Sequence, residues 1–202
     1  IQCTGALSVL IKGQMTLHGT PDNPDPVALL SRKINMPDIR RLALWAARSA
    51  ENMDRLWALS HSDDRRTGVN ALWVMTHLPA SASSWLDSLK DRLTDSLLSE
   101  TDTAKKRMLL QLLREREYDA GSIRTDFLDF CFSKINSECE PYAVRCYCIY
   151  CAFKMCRHYH ELTQELESHL DMLSLLSLSP GLKSALRQTR EKIARIERRQ
   201  QT

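Results

Sequence analysis

Four helix-start signals recur along this chain at almost fixed spacing: Asp63, Asp102, Glu140 and Ser179, each roughly 40 residues after the one before. Each is followed by a segment of helical character, for example Asp102-Thr103-Ala104-Lys105 and Glu140-Pro141-Tyr142-Ala143. Ser, Asp and similar side chains accept the orphan N–H groups of a helix start, and Pro is tolerated in its first turn. A period of that length filled only with helices implies stacked helical pairs, because one such pair cannot bury its own apolar face. An array of that kind presents a long surface, and its function lies in what that surface holds.

The breaks between helices are short. Helices are expected over roughly 63–78, 82–98, 102–117, 122–136, 140–159, 161–176 and 180–198, interrupted at Pro79-Ala80-Ser81, Ser99-Glu100-Thr101, Asp119-Ala120-Gly121, Ser137-Glu138 and Ser177-Leu178-Ser179. Connections this short place neighbouring helices antiparallel. The expected pairs are 63–78 with 82–98, 102–117 with 122–136, and 140–159 with 161–176. The last helix ends in a strongly polar run from Arg190 to Gln200, as suits a terminal cap facing water. No segment sustains strand alternation.

Toward the N-terminus the rhythm weakens. Asp25-Pro26 reads as an N-cap with Pro at the first helical position. A further helix follows Pro37-Asp38, with Ile39, Leu42, Ala43, Ala46 and Ala47 at helical spacing, and a short one covers Glu51 to Leu59. The Asp38 copy lies well under one period before Asp63, so the first repeat is shortened. Residues 1–24 hold Gly5, Gly13 and Gly19 and end in turn chemistry at Thr20-Pro21-Asp22-Asn23-Pro24, which marks an irregular arm or cap. The expected organisation is this arm and one helical-repeat domain over 25–202. No basic cluster precedes the short, weakly apolar stretch Ala6 to Ile11, so it is not read as a signal peptide.

The period, the paired helices and the Asp-rich turn followed by basic and then apolar residues resemble HEAT and armadillo-like repeat proteins. Ser62-Asp63-Asp64-Arg65-Arg66-Thr67-Gly68-Val69-Asn70-Ala71-Leu72 and Glu140-Pro141-Tyr142-Ala143-Val144-Arg145 look like the second helix of such a repeat. The resemblance covers about residues 36 to 198. It implies an all-α fold, a right-handed α-α superhelix of antiparallel pairs. It also implies a scaffold or adaptor role, or less often DNA alkylation repair.

Net charge is +3, with 28 basic and 25 acidic residues, so composition alone demands neither nucleic acid nor an anionic membrane. No apolar run approaches the roughly 18 residues of a membrane span. Of seven cysteines, Cys139, Cys146, Cys148, Cys151 and Cys156 crowd into one short stretch. Four of these share one expected helix, where mutual disulfides are geometrically disfavoured. A reducing, cytoplasmic setting follows. Cys148 and Cys151 form a C-x-x-C with His158 and His160 beyond, the only metal candidate, since thiolates and imidazoles suit zinc. The competing reading is stronger. Val144, Ala152 and Met155 share that face, and a free cysteine behaves as a small buried hydrophobe. No cofactor is expected.

Catalytic patterns are missing: there is no phosphate-binding glycine loop, no G-x-S-x-G and no H-E-x-x-H. Trp45 and Trp73 would line a base-holding cleft if the chain were a HEAT-like repair glycosylase, although each sits in an apolar stripe that suits the core. Basic residues group at Arg40-Arg41, Arg65-Arg66, Lys105-Lys106-Arg107 and Arg114-Glu115-Arg116. Stacking would align some of these into a ridge, with Arg107 and Arg145 in matching positions one repeat apart. The expected function is non-catalytic protein binding, with Arg66, Lys106, Arg107 and Arg145 on the partner-binding surface and another protein as the partner. Nucleic-acid binding is the alternative.

Overall fold

The structure is a computed structural model that describes residues 24–200. The irregular arm expected before that lies almost wholly outside the described residues. Eleven α-helices fill the described chain, with 3-10 turns at Ala80–Ala82 and Ala120–Ser122 and no β-strand among the described residues. They are α1 (Pro26–Leu30), α2 (Met36–Ala46), α3 (Ala50–Ser60), α4 (Arg65–Met75), α5 (Ser83–Ser88), α6 (Lys90–Ser99), α7 (Thr103–Arg114), α8 (Thr125–Ile135), α9 (Tyr142–Cys156), α10 (His160–Ser174) and α11 (Pro180–Gln200). The single helix expected over 82–98 is broken at Leu89 into α5 and α6.

The helix starts follow local chemistry. Asp25 accepts from the backbone of Val27 and Ala28, with Pro26 at the first position. Ser49 caps α3, Asp64 caps α4 through the Thr67 N–H, and Asp102 caps α7 through Ala104 and Lys105 at 2.8 and 3.0 Å. At the opposite ends, Ser60 Oγ donates to the Trp57 carbonyl at 2.6 Å and Thr76 Oγ1 to the Trp73 carbonyl at 2.7 Å. His61 and His77 each set Nδ1 at the same carbonyls. Hydroxyl and imidazole therefore satisfy acceptors that a helix end leaves open.

Pairing differs from the expectation by one helix. α3 packs on α4, α6 on α7 and α8 on α9, while α4 with α6 and α7 with α8 make little contact. The helices opening at Arg65, Thr103 and Tyr142 thus close their repeats rather than open them, as the resemblance of the first and last of these to second helices implied. Their caps at Asp64, Asp102 and Pro141 keep the period of the array. This moves the register as well: Asp63 and Glu140 each precede the cap by one residue. Arg145 is therefore equivalent to Lys106 and Gly68, not to Arg107.

Two layers result. The second helices α4, α7, α9 and α11 pack side by side in one, and α6, α8 and α10 lean together in the other. The core runs between them as one cluster that includes Leu42, Leu72, Leu109, Phe127, Ile149, Leu170 and Ile193. α9 touches α7, α8, α10 and α11, which explains why it is apolar on all sides. At the N-terminal end α1 is a single short turn of helix, and α2 starts from a cap at Asn35 and not at Asp38, which lies in its first turn. Buried Asn70 of α4 ties that end down, donating to the carbonyls of Leu30 at 2.8 Å and Arg32 at 3.0 Å.

Candidate functional site

The layer of second helices runs with all its members parallel, so their N-termini share one edge and their C-termini the other. On the N-terminal edge the expected cations are engaged. Arg65 Nε donates to the capping carboxylate of Asp102 at 2.6 Å, joining α4 to α7. Lys106 faces Glu140 at 3.9 Å, and Lys134 reaches the same oxygen at 3.2 Å. Burial pushes the Asp102 carboxyl up, but the Lys105 N–H and Arg65 outweigh it and hold it below the usual range. Arg66 and Arg107 are exposed. Arg145 is 4 % exposed, its Nε donating to the Ile135 carbonyl at 2.9 Å, so it is part of the α8–α9 packing and not of the surface. The structure therefore does not gather the four sequence candidates into one site.

The C-terminal edge is different. A groove of about 530 Å³ opens between the C-terminal parts of α7, α9 and α11. Six cations line it: Arg114 from α7, Lys154 and Arg157 at the end of α9, and Lys192, Arg195 and Arg199 from α11. Its floor includes Tyr150, Phe153 and Ile196. Glu115 pairs with Arg114 at 2.8 Å, and Glu117 is shared by Lys154 at 3.0 Å and Arg157 at 2.9 Å. Hydrogen bonding from Lys154 leads, with Arg157, in holding the Glu117 carboxyl below its usual range against burial. Six cations against two carboxylates concentrate more positive charge here than the whole chain carries in net.

The aromatic rings of the groove are covered by its own cations. Arg114 lies 5.2 Å over the Tyr147 ring and 5.3 Å over Tyr150, and Lys192 lies 5.6 Å over Phe153. By contrast, Arg195 and Arg199 have no carboxylate within ion-pair distance among the described residues. A signal for this site exists in the sequence. Gln188, Lys192, Arg195 and Arg199 recur at helical spacing beside the buried stripe of Leu182, Ala185, Thr189 and Ile193. The tail from Arg190 is thus not uniformly a water-facing cap: one of its stripes walls the groove.

The cysteine helix lies in the core. Cys148 and Cys151 are fully buried in the core, beside Cys131 of α8. Burial pushes the Cys131 and Cys151 thiols well up. His158 is turned to the Tyr118 carbonyl at 2.7 Å and His160 to Gln164. Among the described residues no group of three His, Cys, Asp or Glu is placed to hold a metal. Trp45 is buried and Trp73 half-buried against the core. Among the described residues no helix is long and apolar enough to cross a membrane.

A family model for a HEAT repeat domain matches residues 27–193. No curated protein and no solved structure matches the chain.

Proposed function

This chain belongs to the HEAT repeat family, and on that premise we propose that it is a non-catalytic protein-interaction module whose partner docks along the layer of α4, α7, α9 and α11. HEAT repeats are commonly interaction scaffolds, and helical solenoids present extended surfaces by construction. The observation that carries the reading is the groove on this layer, where six cations from α7, α9 and α11 collect around half-buried Tyr150 and Ile196. Residues 25–202 act as one unit in this proposal, with residues 1–24 an appended arm. The adjacent, unpaired thiols of Cys131 and Cys148 fit a reducing compartment and hence the cytoplasm.

Arg66 and Arg107 stay on the proposed surface, with Lys106 at its edge. Arg145 acts from inside by holding the end of α8. A base-repair reading has less support, because Trp45 belongs to the core. The experiment is site-specific photo-crosslinking in cells, with the probe placed in turn at Arg66, Arg107 and Arg195 on the second-helix layer and at Ser168 on α10. A protein adduct of defined mass from the first three positions and none from Ser168 is the expected result. Adducts at Ser168 alone would refute the assignment.

A further inference from the structure

We propose that the groove between α7, α9 and α11 is the docking site for an acidic, extended segment of a partner protein, a short run of Glu and Asp around one apolar side chain. This deepens the interaction-module reading and rests on it, since it names the chemistry of the partner. Charge complementarity fixes the class. Arg195 and Arg199 project from one wall with no carboxylate partner among the described residues, and Lys154 and Arg157 on the other share a single carboxylate, Glu117. Two guanidinium forks so placed match carboxylates in bidentate geometry. Glu117 already shows the opposite wall accepting a carboxylate between a lysine and an arginine. Between the walls half-buried Ile196 offers apolar contact for one side chain.

Two observations favour a peptide over nucleic acid. The rings that would stack bases are covered by Arg114 and Lys192, whereas single-strand binding relies on open ring faces. On the opposite edge of the layer Arg65 and Lys106 are engaged by Asp102 and Glu140, which interrupts any row of cations running from the groove. A duplex needs an extended row of phosphate contacts.

The test is fluorescence anisotropy with a labelled oligoglutamate peptide carrying one central leucine, against labelled single- and double-stranded DNA of equal charge. The expected result is saturable peptide binding at low salt that weakens as salt rises, with DNA bound less tightly. Joint reversal, Arg195→Glu with Arg199→Glu, is expected to weaken the peptide by about tenfold or more, and Arg40→Glu on α2 to leave it unchanged. Both groove arginines are exposed, so the melting temperature of the double variant should match the parent. Carbodiimide crosslinking of the peptide to the intact chain gives an independent readout, with adducts expected at Lys192 and Lys154. DNA bound as tightly as peptide, binding unmoved by the double reversal, or adducts spread over unrelated lysines would each overturn the proposal. So would self-association of the chain that the same reversal abolishes, since it would assign the groove to a second copy. Loss of peptide binding with photo-crosslinks retained at Arg66 and Arg107 would sink this inference and leave the interaction-module reading standing.

Discussion

Replacing Gly68 by Ala tests the pairing of α3 with α4 directly. A Cβ at Gly68 would lie 2.8 Å from Lys105 Cε, 3.0 Å from its Nζ and 2.9 Å from the carbonyl oxygen of Ser60. The lysine can swing away. The Ser60 oxygen cannot, because it is the main chain of the last residue of α3, which is held by its own hydroxyl on the Trp57 carbonyl. A carbon normally stands about 3.5 Å from such a neighbour, so α3 and α4 must part by about half an ångström. In an exposed helix the same change would stabilise by about 0.8–1.0 kcal/mol. Overpacking typically costs about 1–3 kcal/mol, so the net result is a loss of up to about 2 kcal/mol. Gly121 is the internal control. It has nothing within 4 Å and its backbone lies outside the left-handed region, so Gly121→Ala should gain about 0.4–1 kcal/mol from the unfolded chain. Urea titrations followed by circular dichroism compare the two midpoints at equal slope. If Gly68→Ala stabilises as much as Gly121→Ala, α3 does not lie against α4 and the pairing is wrong.

Asp102→Asn keeps the cap, since Asn caps a helix about as well as Asp, and removes only the charge that Arg65 and the Lys105 N–H favour. The folded carboxyl is held below its ordinary value, so its stabilisation is complete above about pH 4 and fades as pH falls through the lowered value. Melting temperatures should therefore separate parent and variant at neutral pH and converge in acid; a gap independent of pH would remove the ion pair from the account. Thiol labelling with mass-spectrometric mapping should mark exposed Cys139 first and half-buried Cys146 later. Cys131, Cys148, Cys151 and Cys156, the last with its thiol pushed up to about 12, should react only on unfolding. Labelling of Cys148 or Cys151 as fast as Cys139 would contradict their place in the core.

Most helix starts are legible to within a few residues because capping is local where Asp, Ser or Pro supplies it, whereas the break at Leu89, which no side chain caps, is not. Pairing was not legible, because it is decided between elements. Short links make both neighbours of a helix antiparallel, and length does not choose between them. The link from α9 to α10, which joins two repeats, is shorter than the link from α8 to α9 inside one. Register failed for a related reason. Reading Asp63 and Glu140 as caps, in place of Asp64 and Pro141, shifts α4 and α9 by one residue against α7. One residue is about 100° around a helix, enough to align exposed Arg107 with Arg145, which the fold buries.

The same capping chemistry explains why the basic surface lies where it does. Second helices in a solenoid run parallel, so all their capping acids collect on one edge of the layer. Cations near that edge meet those acids or the ones just before them, as Arg65 meets Asp102 and Lys106 meets Glu140. At the opposite edge the helix ends favour cations and call for no acids. There α7 ends in Arg114, α9 in Lys154 and Arg157, and α11 in Arg195 and Arg199, and the ion pairs these make among the described residues are with Glu115 and Glu117. Counting Lys and Arg along the sequence gives the two edges equal standing. Only the stacking separates cations that hold repeats together from those gathered at the groove.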